Sequence, residues 1–316
     1  MLLREESVRL IFVSILSLVA ALWAEETVRH PFAGITHIHR TGTVPRPFSM
    51  HLLKIDLTAP GLSFKMTAPR HEPGARETPR QTTRDFLEQE HAQMAINGHF
   101  FLPFPSAEPD ADVVGLAASQ GDVFSAFEPP AQSYALVARA PALNIDAENG
   151  ATIVHADPDD PEGKRIREPV TLYNVVSGSA QIITGGVPTI PVYADDARPE
   201  GLLKRGGPGN YSKDKSWYEV PTARTIAGLS EDRRTLFLFT VDNAGGSKGL
   251  TVTEAAGLLL RDYQVHDALN LDGGGSVTLV EENAESGKGQ LLNVPSDRPQ
   301  GRAVGSSLAV FARRPK

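Results

Sequence analysis

The sequence predicts an α+β fold in which mixed or antiparallel sheets carry interspersed helices, as one compact domain with a less regular N-terminal part. Short apolar or alternating runs of strand length recur from residue 51 to the C-terminus. The 28 glycines and 24 prolines provide turns between these runs. Only two segments carry the signals that start a helix.

Composition excludes several classes of protein. The 31 Lys and Arg residues against 38 Asp and Glu give a net charge of −7, and without a basic tract nucleic-acid binding is not expected. Hydrophobic residues make up 41% of the chain, enough for a sizeable core. The absence of cysteine excludes disulfides, thiolate nucleophiles and cysteine-ligated metals. Catalysis would therefore depend on carboxylates, His, Arg, Lys or hydroxyl groups, or on a metal with O and N ligands.

The N-terminus predicts export. Residues 10–24 are mostly apolar and uncharged, follow Arg4 and Arg9, and are shorter than the roughly 20 apolar residues that span a bilayer. This pattern is typical of a signal peptide, which we place at residues 1–24 with cleavage after Ala24. The expected location is secreted or periplasmic, with no stable membrane span after cleavage. Two glutamates near the start keep an uncleaved N-terminal anchor as the alternative.

Strand predictions follow the apolar runs between Gly-, Pro- and Asp-containing turns. A long polar loop over 194–219 is a candidate lid, in which Trp217 is a candidate for stacking on a sugar ring. The predicted strands cover 51–57, 62–66, 93–97, 113–117, 134–138, 151–155, two runs on either side of 177–179, 222–229, 235–242, 266–272, 277–281 and 304–312.

Both predicted helices begin at a threonine. Thr82 stands three residues before Asp85, and Thr251 stands three residues before Glu254. At this spacing the threonine hydroxyl can accept the main-chain N–H of the acidic residue, which in turn can reach back to the threonine. The sequence therefore predicts helices after Thr82 and after Thr251.

A carboxylate followed by three glycines is the sharpest local feature. The apolar strand over 266–272 delivers Asp272 to its end, and glycines follow at 273–275 before Ser276. Glycines allow close approach of the backbone to a ligand, and successive N–H groups can bind an anion. The alternative is a tight turn in which Asp272 caps its own backbone, but three glycines exceed what a turn needs.

Other polar residues also stand at or within apolar strands. Asn97 and His99 follow one strand, and Asp242 ends another. Arg224 lies inside an otherwise apolar strand, where a charge must be paired or face a site.

Taken together, these segments resemble the phosphodiester glycosidase family. The motifs are NG-x-FF, SG, ART-x-x-G-L, S-x-G-x-T-x-x-E-A, LNLDGGGS-x-TLV and NVPSDRP-x-x-R-x-VG, and they span about 97–311. The resemblance implies a glycosidase-like domain over 93–316, with an N-terminal segment at 25–92 packed on it. It also implies an enzyme that hydrolyses a sugar-1-phosphodiester, such as one of N-acetylglucosamine, in a glycan or glycoconjugate.

The resemblance assigns site residues position by position. Two motifs depart from the family pattern: NGHFF has a histidine where a glycine is usual, and VDN replaces VDG. The polar motif residues of the family fall on Asn97, Ser177, Arg224, Asp242, Asp272, Ser276 and Arg302. With the groups that the residues' own chemistry adds, the catalytic candidates are Asn97, His99, Asp242 and Asp272, and the substrate- or phosphate-binding candidates are Ser177, Arg224, Gly273, Gly274, Gly275, Ser276 and Arg302.

The chemistry of the linkage suggests a role for each group. Arg224 and Arg302 suit the phosphate, because guanidinium groups bind its oxygens bidentately. Asp242 and Asp272 suit a nucleophile or general base at C1 of the sugar, and His99 could act as a general acid. No cofactor is required, although a divalent cation held by Asp242, Asp272 and His99 is an alternative.

Two other functions stay open at this stage. The chain could be a glycan-binding or exopolysaccharide-assembly module that has lost turnover, which the altered NGHFF motif would explain. It could also be a phosphodiesterase that cleaves the P–O bond rather than the glycosidic bond.

Overall fold

The computed structural model describes residues 25–127, 135–204 and 218–315. The predicted signal peptide at 1–24 and Trp217, with most of the loop around it, lie outside the described residues.

The fold is mainly β. Strands account for 40% of the described residues and helices for 8%. Every pairing between the strands named below is antiparallel. The compact sheet architecture was predicted, but an α+β class gave the helices too much weight. Only two described segments combine a threonine cap with a helical apolar face. The other apolar runs bury their side chains in sheets.

The strands of the first half of the chain include two that precede the predicted ones. They are β1 (Glu25–Phe32), β2 (Ile35–Gly42), β3 (Phe48–Asp56), β4 (Ser63–Met66), β5 (Thr78–Pro79), β6 (Gln81–Thr82), β7 (Met94–Asn97), β8 (Phe101–Leu102), β9 (Asp110–Val113), β10 (Ala117–Ser119), β11 (Asp122–Ser125), β12 (Ala142–Ile145) and β13 (Ala151–Val154).

The strands of the second half match most of the predicted runs. They are β14 (Asn174–Ser177), β15 (Ala180–Thr184), β16 (Val187–Pro188), β17 (Arg224–Leu229), β18 (Thr235–Val241), β19 (Asp267–Asn270), β20 (Leu279–Glu282), β21 (Gly289–Leu291), β22 (Ala303–Val304) and β23 (Ser307–Phe311).

Both helices begin where the capping signals predicted. The hydroxyl of Thr82 accepts the N–H of Asp85 at the start of α1 (Thr83–Glu90). Thr251 and Glu254 form a reciprocal capping box at the start of α2 (Val252–Tyr263). A short 3₁₀ turn covers Gly274–Ser276.

Three larger sheets build the molecule. The first has eight strands in the order β1-β2-β3-β18-β17-β19-β15-β16. The second has the order β21-β20-β7-β23-β4, and the third has the order β11-β10-β14-β12-β13. Small sheets join β22 to β6, and β5 to β9 and β8.

Two apolar clusters cover the two faces of the eight-stranded sheet. One face packs against the second and third sheets, through residues such as Leu53, Leu238 and Ile96. The opposite face packs against α2, through residues such as Phe239 and Ala255. Helix α1 covers the outer face of the second sheet. Since both faces of this central, eight-stranded sheet are buried at β17 and β18, these two strands consist mostly of apolar residues.

The N-terminal part is more regular than predicted. Strands β1 to β3 are eight, eight and nine residues long, and β3 pairs with β18 along its length. Polar residues on the exposed strand β1 hide its periodicity, because an edge strand buries little of its surface.

Two predicted strands are wrong. The run 113–117 is interrupted at Gly115, whose φ is +96°. The described part of 134–138 forms turns, although Leu136 is 1% exposed. An apolar run indicates that its side chains are buried, but by itself it does not determine the backbone conformation.

The cap of α2 gives a stability test. Replacing Thr251 with Ala removes the hydroxyl that accepts the N–H of Glu254 at 3.1 Å. We expect the free energy of unfolding in urea to fall by about 1 kcal/mol. Thr253→Ala, at an exposed position of the same helix, is the matched control and should change stability by less than about 0.5 kcal/mol. Equal effects of the two substitutions would contradict the cap.

Candidate active site

Several predicted site residues lie at one edge of the two main sheets, which are the eight-stranded sheet and the second sheet. At this edge, strands of both sheets end. Because β17 is antiparallel to β18 and β19, its N-terminal end lies beside their C-terminal ends, with Arg224 opposite Val241 and Ile226 opposite Asn270. Asp242 and Asp272 follow β18 and β19, respectively. The end of β7 at Asn97 lies at the same edge of the second sheet, since the main-chain N–H of Asp272 donates to the carbonyl of Gly98 at 3.1 Å.

Asp272 is a buried carboxyl group. Its exposed fraction is 6%, and burial raises the pKa of this group to about 7. The hydroxyl of Ser276, the positive charge of Arg302 and the N–H of Gly273 act in the opposite direction, favouring the ionised form. The carboxyl group therefore exchanges its proton close to neutral pH.

The glycines after Asp272 are required by crowding and by backbone conformation. Gly274 has a φ of +58°, in the left-handed region that glycine adopts most readily. A Cβ atom on Gly275 would overlap the guanidinium group of Arg302. A Cβ on Gly273 would lie 2.9 Å from the carbonyl oxygen of Ala223. Gly273 and Gly275 thus allow neighbouring groups to approach the backbone closely, and Gly274 allows the turn.

Arg302 lies over the glycine turn. Its Nε donates to Asp297 at 2.8 Å, and its Nη1 donates to the Ser276 hydroxyl at 3.3 Å. The guanidinium carbon stands 4.6 Å from the ring centroid of Phe104. The side chain is 21% exposed, so the cation is held in place at the surface of the site and remains accessible.

Asp242 is the second buried carboxyl group at this edge. Its two oxygens accept hydrogen bonds from Nδ2 of Asn293 at 3.1 Å and from the N–H of Val294 at 3.2 Å. Burial raises the pKa of Asp242 to about 6, against the effect of these two hydrogen bonds. Like Asp272, it is a carboxyl group kept less acidic than in water.

Asn97 connects the two sheets beneath the glycine turn. Its Nδ2 donates to the main-chain carbonyl of Asp272 at 2.8 Å. Its Oδ1 accepts from the Thr225 hydroxyl at 2.8 Å and from the N–H of Thr278 at 3.1 Å. The amide is fully buried, and its contacts are those of a residue that positions Asp272.

Arg224 points to the α2 face of the central sheet, opposite to its neighbour Thr225. Thr225 reaches Asn97, and successive residues of a strand point to opposite faces, so Arg224 shares the α2 face with Ile226. Its Nε donates to the carbonyl of Leu250 at 3.2 Å and its Nη2 to that of Val220 at 2.6 Å. Burial lowers the pKa of Arg224 to about 10.

His99 is also packed away from the Asp272 group. Its Nδ1 lies 2.8 Å from the hydroxyl of Ser306, and its Nε2 lies 3.1 Å from the carbonyl of Leu116. Because a carbonyl only accepts, Nε2 carries the proton and Nδ1 accepts from Ser306. Burial lowers the pKa of His99 to about 4. These contacts indicate a neutral ring, which joins the segment of His99 itself to the segments that contain Leu116 and Ser306.

Ser177 has a similar supporting contact. Its hydroxyl donates to the carbonyl of Leu116 at 2.9 Å, the same oxygen that accepts from His99. The side chain is fully buried. The geometry therefore supports a structural role for Ser177 rather than contact with a phosphate.

Sequence reasoning missed three partners of the site. Asn293 holds Asp242, Thr225 holds Asn97, and Ser306 holds His99. Asn293 begins the NVPSDRP segment, so its position in that motif was a usable signal. Thr225 follows Arg224 in a predicted strand, where successive side chains point to opposite faces, and this could have indicated it. We find no local signal for Ser306.

The described residues contain no group of three or more His, Asp or Glu side chains arranged to hold a metal ion. No helix in the part of the chain that the structure describes is both long enough and apolar enough to cross a bilayer.

Similar proteins carry the same fold. A structure of the zebrafish N-acetylglucosamine-1-phosphodiester alpha-N-acetylglucosaminidase catalytic domain, auto-inhibited by its pro-peptide, superimposes with a TM-score of 0.59. The match covers 94% of this chain and 85% of that one at 18% identity, which shows a shared fold.

Sequence relatives match over a shorter region. The N-acetylglucosamine-1-phosphodiester alpha-N-acetylglucosaminidase of Mus musculus is 30% identical over 138 residues, 43% of this chain and 24% of that protein. The Homo sapiens protein of the same name is 32% identical over 127 residues, 40% of this chain and 22% of that protein. The matched segments thus span less than a quarter of these relatives.

The family comparison covers most of the chain. The family model described as phosphodiester glycosidase matches residues 90–311. That range includes Asn97, Asp242, Arg302 and the glycine turn after Asp272. By this match over more than half of its length, the chain belongs to the phosphodiester glycosidase family.

Proposed function

We propose that the chain is an exported hydrolase that cleaves the bond between the anomeric carbon of a sugar and the phosphate of a phosphodiester. The observation that carries this proposal is the group formed by Asp272, Ser276 and Arg302. It joins a carboxyl group with a pKa near 7 to an accessible guanidinium cation. A cation suits the phosphate, and a carboxylate suits C1 of the sugar.

Arg302 is the phosphate-binding residue of this proposal. Its contact with Ser276 places the guanidinium next to Asp272, and its contact with Phe104 supports the plane of the group. Binding of a phosphodiester here neutralises negative charge on the group that leaves. A phosphate monoester is already a good leaving group, so the reaction does not need a strong general acid.

Asp272 is the reacting carboxylate of this proposal. In its ionised form it either attacks C1 or removes a proton from the water that does so. Its raised pKa makes it a stronger base than an exposed aspartate while leaving part of it ionised at neutral pH. Asp242, held by Asn293 and Val294 at the same edge, is the second carboxylate available to stabilise positive charge on the sugar ring.

The two buried groups that lie apart from Asp272 take supporting roles. His99 and Ser177 both donate to the carbonyl of Leu116. The NGHFF motif was the reason to consider a binding module without turnover. Because the ring of His99 is directed into the protein, that motif supplies no argument against catalysis.

We further propose the organisation of the whole chain. Residues 93–316 carry the activity, residues 25–92 complete the central sheet through β3, and residues 1–24 direct export. The N-acetylglucosamine-1-phosphodiester relatives suggest the first sugar to test.

Release of sugar in heavy-oxygen water tests the proposal. The chain without residues 1–24 is incubated with a panel of sugar-1-phosphodiesters that includes one of N-acetylglucosamine. We expect the label in the released sugar, because water replaces phosphate at C1. Asp272→Asn should lower kcat/KM by about 10²- to 10⁴-fold, whereas Asp85→Asn, on the exposed side of α1, should leave it unchanged.

Stability separates loss of chemistry from loss of fold. Since burial raises the folded-state pKa of Asp272 to about 7, its carboxyl group lowers stability as pH rises from its unfolded pKa of about 4 to about 7, and this cost stays constant above pH 7. At pH 8 the free energy of unfolding of Asp272→Asn should therefore equal or exceed that of the unmodified protein. The difference between the two proteins should shift in favour of the variant by on the order of 1–3 kcal/mol between pH 4 and pH 8. Label found in phosphate instead of sugar, or full activity of this variant, would overturn the assignment.

The pH dependence of kcat/KM tests the protonation state of Asp272. The reacting form is ionised, so kcat/KM should fall about tenfold per pH unit below pH 7 and level off above it. Stopped assays between pH 5 and pH 9 measure this limb. A rate that instead declines as pH rises through 7 would identify the protonated carboxyl group as the reacting form.

His99→Gln tests whether the imidazole takes part in the chemistry. We expect the pH profile to keep its shape, because the ring is neutral and lies away from Asp272. The free energy of unfolding should fall by about 1–3 kcal/mol, because partners at Ser306 and Leu116 are disturbed. Loss of one limb of the pH profile at unchanged stability would show that His99 is an acid or base.

A further inference from the structure

An open cleft adjoins Arg302 on the side away from Asp272. Its volume is about 600 Å³, and it lies between the β8–β9 loop and the segment before β22. The charged and aromatic residues that line it are Arg80, Phe104, Glu108, Asp297, Arg298 and Arg302.

The two acidic residues of the cleft are already paired. Glu108 accepts from Nε of Arg76, which lies outside the cleft, at 2.7 Å. Asp297 accepts from Nε of Arg302 at 2.8 Å. Both carboxylates thus have an arginine partner, although Arg76 also pairs with Asp112 at 2.5 Å, and the lining of the cleft has three arginines against two carboxylates.

The other two arginines form no ion pair with any described residue. Arg80 donates only to main-chain carbonyls, those of Asp110 at 2.8 Å and of Pro103. Arg298 is exposed and forms no ion pair with any described residue. In a chain with a net charge of −7, this cleft is locally positive. The local arrangement, rather than net charge, decides which ligand a cleft attracts.

Arg302 connects the cleft to the site of reaction. One side of its guanidinium contacts Ser276, beside Asp272, and its face lies over Phe104 in the cleft wall. A phosphodiester held by Arg302 with its sugar toward Asp272 would direct its other substituent into the cleft. The cleft is therefore on the leaving-group side of the scissile bond.

We propose that this cleft binds a second phosphate, carried by the leaving group of the substrate. Arg298 and Arg80 are the residues that recognise it, by charge-assisted hydrogen bonds. The inference rests on the proposed function and adds a substrate class, a glycan phosphodiester that bears a further phosphate beyond the bond that is cleaved.

Two matched probes test this. In one, N-acetylglucosamine-1-phosphate is esterified to propanol; in the other, it is esterified to 3-phosphopropanol. We expect kcat/KM to be about three- to tenfold higher for the phosphate-bearing probe at low ionic strength, and added salt should reduce the ratio. If neither sugar probe is cleaved, the same pair is made with whichever sugar of the panel is released.

Arg298→Gln should abolish the preference while leaving kcat/KM unchanged for the propanol probe, which lacks the second phosphate. Arg261→Gln is the matched control for loss of one exposed positive charge. It lies in the last turn of α2, on the other side of the central sheet, and should keep the preference. Equal rates on the two probes in the unmodified protein would overturn the inference and leave the proposed function standing.

A binding measurement keeps the inference testable if no probe is hydrolysed. Titration calorimetry with 3-phosphopropanol should show weaker binding to Arg298→Gln than to the unmodified protein, by about three- to tenfold. The same affinity for both proteins, or no binding to either, would overturn the inference. Absence of hydrolysis across the panel, in turn, counts against the proposed function alone.

Discussion

Burial of the Asp272 carboxyl group is the constraint on which the arrangement of the site depends. A carboxylate out of water is costly unless donors and positive charge surround it. Here the Ser276 hydroxyl, the Gly273 N–H and the Arg302 cation provide that compensation, but only in part, since the pKa remains about 7. The partial compensation is what leaves the group reactive. It also explains why the following residues are glycines, because Arg302 must lie directly over Gly275.

The two main sheets provide the rigidity that this burial needs. Asn97, at the end of β7, holds the carbonyl of Asp272 and is itself held by Thr225 from β17. One fully buried amide thus joins a strand of each sheet to the reacting loop. A side chain with no remaining freedom suits positioning better than proton transfer, and the same argument applies to His99 with both ring nitrogens engaged.

Arginine has two different roles at this edge of the molecule. Arg224 is 1% exposed and donates to main-chain carbonyls on the α2 face, where it joins the start of β17 to the segment before α2. Arg302 is accessible, stacks on an aromatic ring and adjoins a cleft with further positive charge. A planar cation with five donors can satisfy several carbonyls in the interior or bind phosphate at the surface, and burial decides which.

The sequence by itself determined the features that depend on neighbouring residues. Both helix starts follow from the threonine caps, and the reach of Asp272 beyond its strand follows from the apolar run and the glycines after it. Only the tertiary structure decided that Arg224 points to the α2 face and Thr225 to Asn97, that His99 is enclosed by Ser306 and Leu116, and that β1 and β2 extend the central sheet. These outcomes depend on contacts between residues far apart in the chain. Caps and turns are satisfied by partners within a few residues, whereas the direction and burial of a strand side chain are decided by the distant segments that pack against it.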